Sequence, residues 1–118
     1  MSGPLDSTQT DLDPEQLAEW MRQDADLQVV DVREGYEREA GFIAGSRHIP
    51  LVELTSRAQE IERERPVVFY CRVGARSDMA AQAFRASGFS ALSMSGGLLR
   101  WAAEDRPLSP AGGVVADH

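Results

Sequence analysis

The sequence has no lysine, no asparagine, one cysteine, two histidines and no apolar run longer than the five residues 67–71. Without lysine there is no Schiff base, no lysine general base and no lysine of a phosphate-binding loop. A lone cysteine, Cys71, excludes an intramolecular disulfide, a CxxC redox pair and a cysteine-built zinc site. His48 and His118 stand far apart, and no spacing of carboxylates suggests a metal site, so the expected metal complement is none. Five apolar residues cannot cross a bilayer, which needs about twenty. Twelve arginines against nineteen acidic residues leave a net charge of −7, which repels nucleic acid and anionic membrane surfaces. The polar, acidic first residues offer neither a basic start nor an apolar stretch for export, and the expected location is cytoplasmic.

The 118 residues are 42% apolar and 26% charged, the balance of one folded domain rather than a disordered chain. Residues 1–10 read as a flexible arm, 11–108 as the domain, and 109–118, with Pro110 and Gly112-Gly113, as a flexible tail outside the core. Asp13-Pro14-Glu15-Gln16 has the cap, first-turn proline and capping-box glutamine of a helix start. Short β-rich runs then alternate with helical patterns. Residues 27–32 predict a strand, 34–40 a short helix stopped at Gly41, and 47–49 a short strand stopped by Pro50. Leu51, Leu54, Ala58 and Ile61 recur at the spacing of an amphipathic helix, with 60–65 as its solvated end. Residues 66–70 predict a nearly all-apolar strand, and a helix then runs to Gly88. A last strand at 91–94, the Gly96-Gly97 turn and a final helix over 98–103 complete the pattern. Such alternation predicts an α/β fold, a mainly parallel sheet with helices on both faces.

Cys71 falls at the carboxyl end of the most apolar strand, where a loop feeds a helix. Ligands bind at that edge in open α/β sheets, because backbone N–H groups and the helix dipole converge there. Gly74 permits a tight curl, and Arg72 and Arg76 add positive charge. Cysteines so placed ionise more readily than a free thiol. A lone cysteine can also be an inert core residue, but a glycine-containing loop flanked by two arginines favours a nucleophile over an anion cradle. Asp31 and Arg33 reach the same edge, and their acid–base pairing suits a strut between loops better than a part in chemistry. Glu34, Glu37 and Glu39 read as a solvated helix face, and His48 as a packed or hydrogen-bonded residue.

The stretch Cys71-Arg72-Val73-Gly74-Ala75-Arg76-Ser77 resembles the active-site loop of single-domain rhodaneses, the thiosulfate sulfurtransferases. Asp31-Val32-Arg33-Glu34, Glu37, Glu39, Gly41, Ile43, Gly45 and Ile49-Pro50-Leu51 resemble the family's first signature. Gly96-Gly97, Trp101 and Pro107 resemble its closing pattern. Phe42, Ala44 and His48 depart from it, standing where His, Pro and Asn are more usual. The resemblance implies that Cys71 takes sulfur from a small anionic donor such as thiosulfate and becomes a persulfide. A thiophilic acceptor, small or protein, then removes the sulfur. The backbone from Arg72 to Ser77 would hold the persulfide, with Arg72 steering the donor and Arg76 serving loop shape or substrate charge. Because the sulfur rides on the protein, no cofactor is implied. The same loop would serve a persulfide carrier fed by a partner protein, and a partner-binding module without turnover is a further alternative. Phosphatase or arsenate reductase chemistry fits less well. Cysteine phosphatases of related fold carry one more residue between Cys and Arg and a His before the Cys, where this chain has Tyr70.

Overall fold

The computed structural model describes residues 9–118, so most of the arm expected at 1–10 lies outside the described residues. The first helix forms where the capping box predicts. Asp13 Oδ1 accepts the Gln16 N–H at 2.8 Å, and the Asp13 N–H donates to Gln16 Oε1 at 2.9 Å, satisfying two groups the helix leaves open. This helix, α1 (Pro14–Gln23), buries Leu17 and Trp20 against the sheet.

The sheet has five strands, β1 (Asp11–Leu12), β2 (Gln28–Asp31), β3 (Arg47–His48), β4 (Val67–Tyr70) and β5 (Ala91–Met94). They lie in the order β1-β5-β4-β2-β3, and every pair is parallel. The central strands are buried on both faces, which is why β4 is apolar throughout. Period-two alternation divides their side chains between two cores. Val67 and Phe69 face Ala80, Ala81 and Phe84 of α3 (Ala75–Ala86), while Val68 and Tyr70 face Leu17 and Trp20 of α1 and Leu98 and Trp101 of α4 (Gly97–Ala103). Phe84 packs between Phe69 and Phe89 with ring centroids 5.0 and 4.7 Å apart. Helices thus cover both faces of the sheet, as the alternation of elements predicts. The two-residue edge strand β1 is too short to leave a periodic signal.

Residues 51–61 do not form the amphipathic helix their spacing suggests. They fold as two 3₁₀ turns, Leu51–Glu53 and Ala58–Glu60, that still bury Leu54 and Ile61. Ser56 Oγ donates to the Glu53 carbonyl at 3.1 Å, and such a local bond competes with a continuous helix. The solvated helix end expected at 60–65 is likewise absent. Arg63 lies 4.5 Å from the centre of the Phe89 ring, and Arg65 donates to the Asp26 carbonyl at 2.7 Å.

The final residues also differ from the loose tail expected. Phe42 and Ser109 exchange two backbone hydrogen bonds of 2.9 and 2.7 Å, the Val114 N–H donates to the Ala40 carbonyl at 2.8 Å, and Val115 packs on the α1/α4 core. Gly41 ends α2 (Gly35–Ala40) in extended backbone, and the reason it is glycine is space: a Cβ there would stand 2.6 Å from the Val114 carbonyl oxygen.

Candidate active site

β2, β4 and β5 each run into a helix at the same edge of the sheet, and that edge gathers the candidate residues. Cys71 leaves β4 fully buried, and three residues later Gly74 turns with φ 112° into the N-terminus of α3. This left-handed conformation is one that glycine adopts without strain. It aims the Gly74 N–H at Cys71 Sγ, 3.1 Å away, and the first turn of α3 brings the Ser77 N–H to 3.4 Å. The thiol donates to Ser77 Oγ at 3.5 Å, and that hydroxyl is also bonded to Ser93 Oγ on β5 at 2.8 Å. Backbone donors and a helix N-terminus around one sulfur stabilise negative charge on it.

The loop is clamped from two sides. The Leu98 and Leu99 N–H groups at the start of α4 donate to the Cys71 and Arg72 carbonyls at 2.8 and 2.9 Å. Gly97, with φ 62°, comes so near that a Cβ would lie 2.4 Å from the Arg72 carbonyl oxygen. Close chain approach therefore explains the Gly96-Gly97 pair. On the other side Arg76 makes a bidentate ion pair with Glu37, Nη1 to Oε1 at 2.8 Å and Nη2 to Oε2 at 3.0 Å.

Glu37 corrects the expectation of a solvated helix face: Glu34 and Glu39 are exposed, but Glu37 is fully buried. Burial disfavours its charge, yet the Arg76 guanidinium, the Glu34 N–H and the nearby Arg33 outweigh that cost and hold its carboxyl below the usual carboxylate range. The bond to Glu37 in turn pushes Arg76 upward. A loop arginine that points inward needs an acid, and Glu37, one turn into α2 and three residues after Glu34, was the available one. The Glu34 N–H also donates to Glu37 Oε1 at 3.0 Å, a local capping-box bond whose spacing says nothing of the Arg76 pair.

Asp31 and Arg33 form a separate buried pair, with Nε to Oδ1 at 2.8 Å and Nη2 to Oδ2 at 2.7 Å. Arg33 Nη2 also holds the Gly41 carbonyl at 2.8 Å, which ties the end of β2 to the end of α2. Neither residue bonds to Cys71 or to the loop. His48 Nε2 lies 2.8 Å from the Arg33 carbonyl oxygen, a hydrogen-bonded position. The Tyr70 hydroxyl, before the cysteine, accepts the Ile43 N–H at 3.1 Å and bonds Ser46 Oγ at 2.8 Å; burial pushes its pKa to about 12. Arg72 turns to the carboxyl-terminal segment, where Nε donates to the Ala116 carbonyl at 3.2 Å. Val73 and Ala75 form the exposed outer surface of the loop.

A cavity of about 320 Å³ opens beside the loop, lined by Val73, Gly74, Ala75, Asp78, Ser95 and Gly96. A larger one, about 600 Å³ and lined by Ile61, Arg63, Phe84 and Phe89 among others, lies before the starts of β4 and β5, at the opposite edge from Cys71. Gly74, whose N–H donates to Cys71 Sγ, lines the smaller cavity, whereas Cys71 itself is fully buried and lines neither. Among the described residues there is no cluster of potential metal ligands, and no helix is long and apolar enough to cross a membrane.

The structure defines the class as a parallel α/β domain with a cysteine cradled by backbone N–H groups at the carboxyl edge of its central strand. Within that class, residues 13–104 match the rhodanese-like domain, and the chain belongs to the rhodanese-like family. A sulfurtransferase of Allochromatium vinosum is 33% identical over 99 residues, covering 83% of this chain and 92% of that one. The uncharacterized protein YqhL of Bacillus subtilis is 43% identical over 75 residues, which span 63% of this chain and 60% of that protein. The crystal structure of a rhodanese-related protein from Thermoplasma volcanium superposes with a TM-score of 0.77 at 29% identity, covering 84% of this chain and 96% of that one.

Proposed function

We propose that this protein is a sulfurtransferase that moves sulfane sulfur from thiosulfate, or a similar small anionic donor, to a thiophilic acceptor through a Cys71 persulfide. The Cys71 thiolate attacks the outer sulfur of thiosulfate, the sulfur–sulfur bond of the donor breaks, and sulfite leaves with the electron pair. An acceptor nucleophile such as cyanide then attacks the outer sulfur of the persulfide, forms thiocyanate and returns the thiolate. No net oxidation of the protein occurs. The observation that carries this reading is the pair of N–H groups, Gly74 at 3.1 Å and Ser77 at 3.4 Å, aimed at Sγ. Donors so placed support negative charge where sulfur is attacked and where the persulfide then resides. The four residues between Cys71 and Arg76 form a tighter ring than the phosphatase loop, which favours one sulfur atom over a tetrahedral phosphate.

A second reading, a carrier loaded by a protein donor, is favoured by the apolar side chains near the loop. Val73 in the loop, Met79 on the helix it feeds and Leu99 beside Arg72 are 51%, 61% and 43% exposed, more apolar surface than a small anion requires. Thiocyanate formation from thiosulfate and cyanide, beside hydrolysis of an aryl phosphate, tests the reaction class. The expected result is thiocyanate from the wild type, none from Cys71→Ser, and no phosphatase activity. Aryl phosphate turnover without thiocyanate would overturn the assignment.

A further inference from the structure

The segment 113–117 has a structural role for which the sulfur-transfer loop has no need. It crosses Gly41, is held by the Val114 N–H bond to the Ala40 carbonyl at 2.8 Å, and seats Val115 on the core. Its end then meets Arg72, the residue directly after the nucleophile. Arg72 Nε donates to the Ala116 carbonyl at 3.2 Å, and Nη2 stands 3.4 Å from Asp117 Oδ1. The other loop arginine, Arg76, is already paired with Glu37. Both guanidinium groups of the loop are therefore matched by carboxylates of this chain, and the cradle faces its donor without an unpaired arginine.

The two pairings differ in reversibility. Glu37 is buried and bidentate, whereas the Asp117 side chain is fully exposed and reaches Arg72 through one oxygen. An exposed ion pair is weak and can be exchanged for another anion. We infer that Asp117 is a specificity-determining residue, a carboxylate presented by segment 113–117 that competes with anionic donors for Arg72 and so disfavours small dianions relative to less charged sulfur donors. The inference takes its donor chemistry from the proposed function, but its electrostatics stand on the Arg72 contacts alone.

The test uses the full chain and two electrophiles of similar size that alkylate Cys71, anionic iodoacetate and neutral iodoacetamide. Asp117→Asn is expected to raise the iodoacetate-to-iodoacetamide rate ratio about threefold to fivefold, the scale of one exposed ion pair. The iodoacetamide rate alone should change less than about twofold, and the effect should fade at about 1 M salt, where the Debye length is near 3 Å. In an Arg72→Gln background, Asp117→Asn should leave the ratio nearly unchanged. A ratio unmoved by Asp117→Asn, or one that rises equally in the Arg72→Gln background, would overturn the inference. Loading of Cys71 by thiosulfate, followed by mass on the same variants, separates the two claims. A shifted alkylation ratio with no sulfur gained by any variant would remove thiosulfate as the donor and leave the role of Asp117 standing.

Discussion

Arg72 and Arg76 flank the same short loop and carry the same charge, yet they are held in opposite ways. Arg76 is anchored by a fully buried glutamate through two hydrogen bonds, while Arg72 meets a backbone carbonyl and one oxygen of an exposed aspartate. Removing one partner of a buried pair strands a charge, whereas removing an exposed partner hands it to water. The Arg76 side of the loop is therefore framework, and the Arg72 side is adjustable. That division assigns the shape of the cradle to Glu37 and the charge at its mouth to Asp117.

The largest effect should come from breaking the rigid side. Glu37→Ala leaves Arg76 without its acid and is expected to cost about 3 kcal/mol of stability. Sulfur loading of Cys71 should also fall at least about tenfold, since a misplacement of about 1 Å can cost a hundredfold. Denaturant melts and loading followed by mass check both. Next comes the α4 clamp. Gly97→Ala puts a Cβ 2.4 Å from the Arg72 carbonyl oxygen at a positive φ, and a loss of about 2 kcal/mol with slower loading is expected.

The two sides should also respond differently to pH. The native carboxyl of Glu37 is held below its unfolded value, so the folded state binds fewer protons than the unfolded state in acid. Its contribution is fully present above the unfolded carboxylate pKa of about 4.3 and is lost as pH falls through the lowered native value. Stability curves of Glu37→Gln should lack that acid-side slope, whereas those of Asp117→Asn should keep it. The smallest effect belongs to the adjustable side. Asp117→Asn should change unfolding free energy by less than about 0.5 kcal/mol, read from the same melts. A change as large as that of Glu37→Ala would erase the distinction between the two arginines.

Much of this arrangement was legible in the residues. The capping box of α1, the apolar β4 and the glycine at 74 each express a local rule, and each appears where that rule places it. The place of Cys71, at a strand end and under the N–H groups of the next helix, followed from strand, glycine and arginines within seven residues. Glu37 was not legible, because a helix of six residues has no clear amphipathic face and its burial depends on an arginine 39 positions later. Segment 51–61 misled for a related reason, since tight turns can bury leucine and isoleucine at the same spacing as a helix. The docked segment 109–117 is poor in large apolar groups, and what holds it is backbone bonding and space left by Gly41, neither of which has a period.

On the proposed function, the N–H cradle holds sulfur on Cys71. Intact mass after incubation with thiosulfate, beside Cys71→Ser, tests it most directly. The wild type is expected to gain one sulfur atom, lost on adding cyanide and absent from the variant. A wild-type thiol that is free and reactive toward alkylation, yet gains no sulfur from thiosulfate or from a protein persulfide donor, would contradict it.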